Sequence, residues 1–315
     1  MRRLASIVGA YSVVILSTNS MARQRIRLNL NLEAGFSTYL KNLSDESEAA
    51  ASPQRYRGGV MSVIECYDQL SPYYHLLGEN YKFIEWDKII KGHALALNSL
   101  IRQYIGDQAN TVLDAACGIG TQALGLAALG YSVTASDLAA KALARAKAEA
   151  EVRNLHIDFR VTDMRQEYEC HKRQFDVVIA CDNAIPHLLS DDDILAAFRQ
   201  FYKCITPGGG CIISVRDYAN LELGGTQVKT YGIRTEGDTR YLIFTVWDFE
   251  GLIYDLSYYV IEESQDKECK IHVMRAPYYA ITIDRLIELM HEAGFQKVRR
   301  VDDSIFQPIL IGRRS

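Results

Sequence analysis

The residues of this 315-residue chain best suited to chemistry gather around one string, Val112-Leu113-Asp114-Ala115-Ala116-Cys117-Gly118-Ile119-Gly120-Thr121. Glycines at 118 and 120 let the backbone turn tightly and approach a ligand with no Cβ in the way. Such a turn presents its ligand to a helix N-terminus at the carboxyl edge of a sheet. Dinucleotide-binding loops share the layout and tolerate an alanine, here Ala123, at their third glycine, so glycine count does not decide. Asp114 discriminates, because a carboxylate four residues before the first glycine would repel a pyrophosphate and suits the amino-acid end of S-adenosylmethionine. Asp137 ends the next apolar run, where an acid can accept both hydroxyls of a ribose; the other use for it is to cap a helix starting at 139. In Thr162-Asp163-Met164 the acid can accept from an adenine amino group and the methionine can pack on the ring, unless the tripeptide is a plain turn.

A second group, Asn183, His187 and Arg216, carries a different chemistry. A guanidinium at the end of an apolar strand needs an anionic partner. That partner is a substrate carboxylate held bidentately, or Asp182 or Asp217 in an internal pair. Asn183 can accept from an amine through its side-chain oxygen. An amine attacks a sulfonium methyl only when unprotonated, so acceptors that orient its lone pair matter more than a strong base. Positioning in a dry site then supplies much of the rate. His187 can take the released proton, although after Pro186 it equally suits a loop or helix start. Tyrosines 218, 231, 241, 254, 258, 259, 278 and 279, with Trp247, can surround a cation with aromatic faces or simply pack a small sheet. Tyr67, Tyr73 and Tyr74 form either a lid or a docking segment over the core.

The elements that must position these groups follow from periodicity. Residues 84–104 repeat apolar positions at helical spacing, and Thr111 to Ala116 is a short apolar run. Thr121 to Leu129 is helical and closed by Gly130, and Tyr131 to Ser136 is a strand ending on Asp137. Ala139 to Val152 is helical; Ile157 to Val161 and Phe175 to Ala180 are strands. A helix from Ile194 to Cys204 is stopped by Pro207-Gly208-Gly209-Gly210, and Cys211 to Val215 is a buried strand. This alternation implies right-handed βαβ units and a parallel sheet. It stops after Arg216. Residues 226–235, 239–249, 252–263 and 270–280 read as antiparallel strands with hairpin turns at Glu236-Gly237-Asp238 and Glu250-Gly251. A helix at 282–293 and strands at 296–301 and 307–312 complete the chain. The expected fold is α/β: a Rossmann-like doubly wound seven-stranded sheet with a small antiparallel β insertion, 218–281, after the fifth strand.

D-x-x-C-G-x-G-T, the acidic second-strand end, the D-M step and the P-G-G turn together resemble class I S-adenosylmethionine-dependent methyltransferases over roughly residues 80–216 and 282–312. A narrower likeness is to glycine and glycine/sarcosine N-methyltransferases, through F-D-V-V-I-A-C-D-N-A-I-P-H-L (175–188), P-G-G-G-C-I-I-S-V-R-D-Y (207–218) and the tyrosine-rich insertion. The resemblance implies S-adenosylmethionine as cofactor, held by Asp114, Ala116, Gly118, Gly120, Asp137, Leu138, Asp163, Met164 and Asp182. It also implies that Asn183 and Arg216 bind an amino-acid substrate. The fourth-strand motif reads C-D-N where that family usually has L-G-N, and the N-terminal region matches poorly. The implied reaction is methylation of the amine of a small carboxylate-bearing molecule. A phenol, thiol or metalloid acceptor, or a binding protein without turnover, are the alternatives.

Composition bounds these readings. A formal net charge of −4 gives no general attraction to nucleic acid or anionic membrane, and the insertion lacks a basic stripe. Seven scattered cysteines, none spaced C-x-x-C and none clustered with histidines at zinc spacing, argue against disulfide or metal frameworks and fit a cytoplasmic protein. Partners beyond a small-molecule substrate are not implied, and a homo-oligomer is left open. Arg2-Arg3, the apolar stretch Leu4 to Leu16 and Ser20-Met21-Ala22 look signal-like, yet are too short to span a bilayer comfortably. A true start at Met21 or Met61 is the other reading. Residues 41–60 form a polar linker, which leaves 61–315 as the catalytic domain.

Overall fold

The computed structural model describes residues 62–77, 86–219, 221–266 and 268–315. The chain divides into Met1–Gly59 and Val60–Ser315. The signal-like segment, the alternative starts and the linker all lie outside the described residues.

Five strands run parallel: β1 (Thr111–Asp114), β2 (Ser132–Asp137), β3 (Ile157–Val161), β4 (Phe175–Ala180) and β5 (Ile205–Ser214). The insertion is a separate four-stranded antiparallel sheet of β6 (Thr226–Glu236), β7 (Thr239–Glu250), β8 (Ile253–Glu263) and β9 (Cys269–Tyr279). The chain then returns through β10 (Gln296–Val301) and β11 (Ile309–Arg313), which pairs antiparallel with both β10 and β5. The main sheet has the order β3-β2-β1-β4-β5-β11-β10. Strand order reverses between β1 and β4, and in open α/β sheets the crevice at the carboxyl ends of such a pair receives the ligand.

Seven helices accompany the strands among the described residues: α1 (Val63–Leu70), α2 (Trp86–Tyr104), α3 (Thr121–Ala128), α4 (Ala140–Val152), α5 (Glu167–His171), α6 (Asp191–Cys204) and α7 (Ile283–Glu292). Phe198 and Phe201 of α6 pack with Leu286 and Leu289 of α7 in one core cluster. Leu97 and Ile101 of α2 pack with Leu126 of α3 and Leu143 of α4 in another. Val177 to Ala180 of β4 are wholly buried between these layers, which is why that strand is continuously apolar. The doubly wound architecture read from the alternation is therefore the one observed. Among the described residues no helix is long and apolar enough to cross a membrane.

Three local features differ from the sequence expectation. Helix α6 begins three residues early, because Ser190 accepts from the Asp193 amide and three aspartates favour the positive end of the helix. Pro207 to Gly210 is not a turn between helix and strand. Strand β5 starts at Ile205, and its register with β4 jumps from Phe175↔Ile205 to Val177↔Gly210, so the segment is a bulge inside the strand. Helix α1 was not anticipated, although Ser62 and Glu65 form a capping box that the spacing S-x-x-E announces. Its Cys66 and Leu70 join the insertion's own core of Trp247, Tyr254, Leu256 and Tyr278.

Candidate active site

The glycine loop leaves β1 with Gly118 at φ +52° and Gly120 at φ +92° and enters α3. It opens on a cavity of about 340 Å³ at the carboxyl ends of β1, β2 and β4, within the range usual for small-molecule sites. Ala116, Gly118, Asp137, Leu138, Asp163 and Met164 wall it, as expected from the sequence. The two glycines have different tasks. A Cβ on Gly118 would meet nothing within 4 Å and would stand in open space. A Cβ on Gly120 would lie 3.1 Å from that of Ala146, so Gly120 lets α3 approach α4 and does not wall the cavity.

Asp114 also departs from expectation. It is fully buried and does not wall the cavity, which is lined by the neighbouring Ala115 and Ala116. Neither carboxylate oxygen has a well-aligned hydrogen-bond partner, and burial pushes its pKa well above the usual carboxylate range. Asp137 accepts from the Gly118 amide at 2.7 Å and from the Ala139 amide at 2.8 Å. It therefore braces the loop rather than capping α4, whose N-cap is Ala139. Each of its oxygens keeps a lone pair for a ligand. Asp163 accepts from the Arg165 amide at 2.8 Å and guanidinium at 2.7 Å. Burial opposes its charge, but Arg165 outweighs that and holds the carboxyl below its usual range. The D-M step is thus a turn and a cavity wall at once.

Asp182 and Asn183 both sit in the left-handed region, at φ +57° and +64°. Consecutive non-glycine residues there are uncommon and mark functional sites, with Asp and Asn the side chains that tolerate it best. The Asp182 amide donates to Ser214 Oγ at 2.7 Å and the Asn183 amide to the Ser214 carbonyl at 3.1 Å, which ties β4 to β5. Gln122 donates to one carboxylate oxygen of Asp182 at 3.0 Å, while the other, Oδ1, is buried without a partner. Asp182, Thr121, Tyr67 and Tyr74 wall this cavity and a second one of about 100 Å³.

The second cavity is lined by Asn183, Arg216, Tyr231, Tyr258 and Tyr278. The Arg216 guanidinium lies 4.4 Å over the Trp247 ring and reaches the Tyr254 hydroxyl at 3.4 Å. Asp217 pairs with Arg300 at 2.9 Å. The Asn183 oxygen already accepts from the Arg216 amide at 2.9 Å, and its amide nitrogen donates to the Tyr218 hydroxyl at 3.0 Å. Asn183 thus clips two strand ends together, with one lone pair left for a substrate, a narrower role than the sequence suggested.

His187 corrects the reading as a proton acceptor. It walls the larger cavity, but burial pushes its pKa down to about 4. Its Nδ1 lies 3.2 Å from the Pro277 carbonyl and its Nε2 2.8 Å from the Tyr67 hydroxyl. A neutral ring with both nitrogens engaged has no lone pair to spare for the reaction.

Several wall residues carried no clear sequence signal. The sequence marks Tyr67 and Tyr74 only as a lid or docking segment and carries no signal for Gln122, Phe306 or Gln307. The last two come from the loop before β11, which no motif marks. Among the described residues no group of three or more His, Cys, Asp and Glu side chains could hold a metal ion.

Residues 112–209 match the family model described as a methyltransferase domain. The chain carries a class I S-adenosylmethionine-dependent methyltransferase domain. The enzyme is 26% identical to the glycine/sarcosine N-methyltransferase of Halorhodospira halochloris over 70% of its own length and 77% of that protein. A ubiquinone biosynthesis O-methyltransferase of Azoarcus sp. (strain BH72) is 33% identical over 103 residues, covering 33% of this chain and 42% of that one. Among solved structures, SAM-bound CalS10, an amino pentose methyltransferase from Micromonospora echinaspora, shares the fold. Its TM-score is 0.64 at 17% identity, over 74% of this chain and 93% of the other. The methyltransferase uses S-adenosylmethionine and acts on a small molecule. Its donor cavity fits that role, since Asp182 in its wall keeps a buried, unpartnered Oδ1 that favours a cationic ligand.

Proposed function

We propose that the enzyme methylates the amine of a small carboxylate-bearing molecule such as glycine or sarcosine. One observation carries this reading: a cavity of only about 100 Å³ has a guanidinium, Arg216, and an acid and tyrosine hydroxyls, Asp182 with Tyr231, Tyr258 and Tyr278, in its walls. That is the charge pattern of a small zwitterion. The likeness to glycine/sarcosine N-methyltransferase points the same way.

When bound, S-adenosylmethionine supplies a methyl group made electrophilic by its sulfonium. Asp137 would hold the ribose hydroxyls, Leu138 and Met164 would flank the adenine, and Asp163 would accept from its amino group. Asp182, which walls both cavities, would offer a carboxylate to the sulfonium of the donor. Arg216 clamps the substrate carboxylate, and stacking on Trp247 keeps its planar fork in place. Asn183 and Tyr218 fix the backbone from which Arg216 projects. Catalysis is then mostly positioning, with water excluded by Tyr67 and Tyr74. In this reading residues 218–281 are the substrate-side insertion of a catalytic domain spanning 61–315.

Turnover should be assayed with S-adenosylmethionine against glycine, sarcosine, amines without a carboxylate, phenols and thiols. Arg216→Lys should raise KM for a carboxylated amine at least about tenfold while S-adenosylhomocysteine affinity stays within about threefold. No turnover of any carboxylated amine, or an unchanged KM in the variant, would sink the proposal.

A further inference from the structure

Three tyrosine hydroxyls and one imidazole form a continuous chain along the wall between the two cavities. His187 Nδ1 faces the Pro277 carbonyl at 3.2 Å, and a carbonyl oxygen can only accept. Nδ1 therefore bears the proton, and in the neutral ring Nε2 is an acceptor. Tyr67 must donate to it across 2.8 Å. With that proton spent, the 2.9 Å contact between Tyr67 and Tyr278 requires Tyr278 to donate. By the same step Tyr258 donates to Tyr278 across 3.0 Å. One carbonyl thus sets the direction of every hydroxyl in the chain.

The chain stays intact over the physiological range. Burial holds the ring neutral, with its pKa lowered to about 4. Burial likewise raises Tyr67 and Tyr258 well above the usual phenol value and Tyr278 to about 12. No member gains or loses a proton near neutrality.

We propose that His187 is a positioning residue that sets substrate polarity: its fixed tautomer makes Tyr67, Tyr278 and Tyr258 an acceptor-only wall of the smaller cavity. The three oxygens offer lone pairs and no protons to whatever enters. Such a wall receives N–H groups and methylated ammonium and repels a carboxylate, while Arg216, which only donates, receives the carboxylate. The chain therefore fixes which end of a zwitterion faces the methyl donor. This deepens the amine reading and rests on it for the role of Arg216, though not for the polarity of the tyrosine wall.

The test uses the full-length chain loaded with S-adenosylhomocysteine. Nitrogen-15 histidine spectra, assigned by the signal lost in His187→Gln, should show a pyrrole-type Nδ1 and a pyridine-type Nε2 from pH 6 to 9. The opposite tautomer, or an imidazolium at pH 7, overturns the proposal. Calorimetry then compares sarcosine with malonate, and dimethylamine with acetate. The wild type should prefer each amine at least tenfold. Tyr67→Phe frees the Tyr278 proton to point into the cavity, so the preference should fall at least fivefold. Its S-adenosylhomocysteine affinity and melting temperature report whether the fold survived, and if it did not, the wild-type spectra and selectivities decide. Preference for dimethylamine with no gain from the carboxylate of sarcosine would retain the wall and remove the carboxylate clamp. An unchanged preference for dimethylamine over acetate in a folded Tyr67→Phe removes the wall, whatever sarcosine does.

Discussion

A buried histidine kept neutral leaves a mark on stability as well as on substrate choice. The pKa of His187 is lowered by burial to about 4 from an ordinary 6.5, so the unfolded chain takes up its proton first as pH falls. Its contribution is complete above about pH 6.5 and is lost as pH approaches 4. Between pH 7 and 4 the wild type should lose on the order of 2–3 kcal/mol more unfolding free energy than His187→Gln. Denaturant titrations at several pH values read this directly, and parallel slopes would refute it. Asp182 allows a second test. Its left-handed backbone is one that glycine also adopts freely, so the C-D-N of this chain and the L-G-N usual in the resembled family suit the same turn. Asp182→Gly should change stability by less than about 1 kcal/mol. It should weaken S-adenosylmethionine, which carries the sulfonium charge, several-fold more than S-adenosylhomocysteine, which does not; equal weakening by calorimetry would remove the charge argument. Residue types at this scale were legible in the sequence, but their bonds were not. Nothing in the spacing reveals that the Asn183 oxygen would be taken by an amide 33 residues later, or that Asp114 would stand back from the cavity.

At the scale of elements, the glycine loop separates ligand approach from packing within three residues. Gly118→Ala places a methyl group in open space at the donor cavity and should cut S-adenosylhomocysteine affinity at least about tenfold, with a modest strain from φ +52°. Gly120→Ala presses on Ala146 at 3.1 Å and on Leu124 from φ +92°, so it should cost about 1–3 kcal/mol of stability. Calorimetry and chemical denaturation on both variants check the split, and identical profiles would contradict it. Elements with strong periodicity were readable from sequence, including all four strands of the insertion to within a residue or two. The bulge in β5 was not, since a Pro-Gly run announces a turn without saying whether the strand has already begun. Helix α1 does not stand out in the sequence, because its eight residues carry too little periodicity despite the capping box.

At the scale of the molecule, the site is assembled where a Rossmann-like sheet meets a small tyrosine-rich one, with α1 joined to the core of the latter. Tyr67 on α1 and Tyr74 just beyond it wall both cavities, so ligand in either should steady this segment. Amide exchange across residues 63–76 should slow at least about tenfold with S-adenosylhomocysteine, well beyond any change in α6 or α7. Uniform slowing throughout would indicate global stabilisation alone. That assembly was legible in outline, because the alternation of elements stops at Arg216, but the contribution of the loop at Phe306 and Gln307 depends on how β11 returns to the sheet.

The shared wall has a further consequence for how the two ligands are felt by one another. Asp182, Thr121, Tyr67 and Tyr74 face both cavities, so neither compartment can be filled without altering a boundary of the other. Donor and acceptor are thus energetically linked, and linkage is reciprocal. The factor by which spent donor tightens the acceptor must equal the factor by which the acceptor tightens the spent donor.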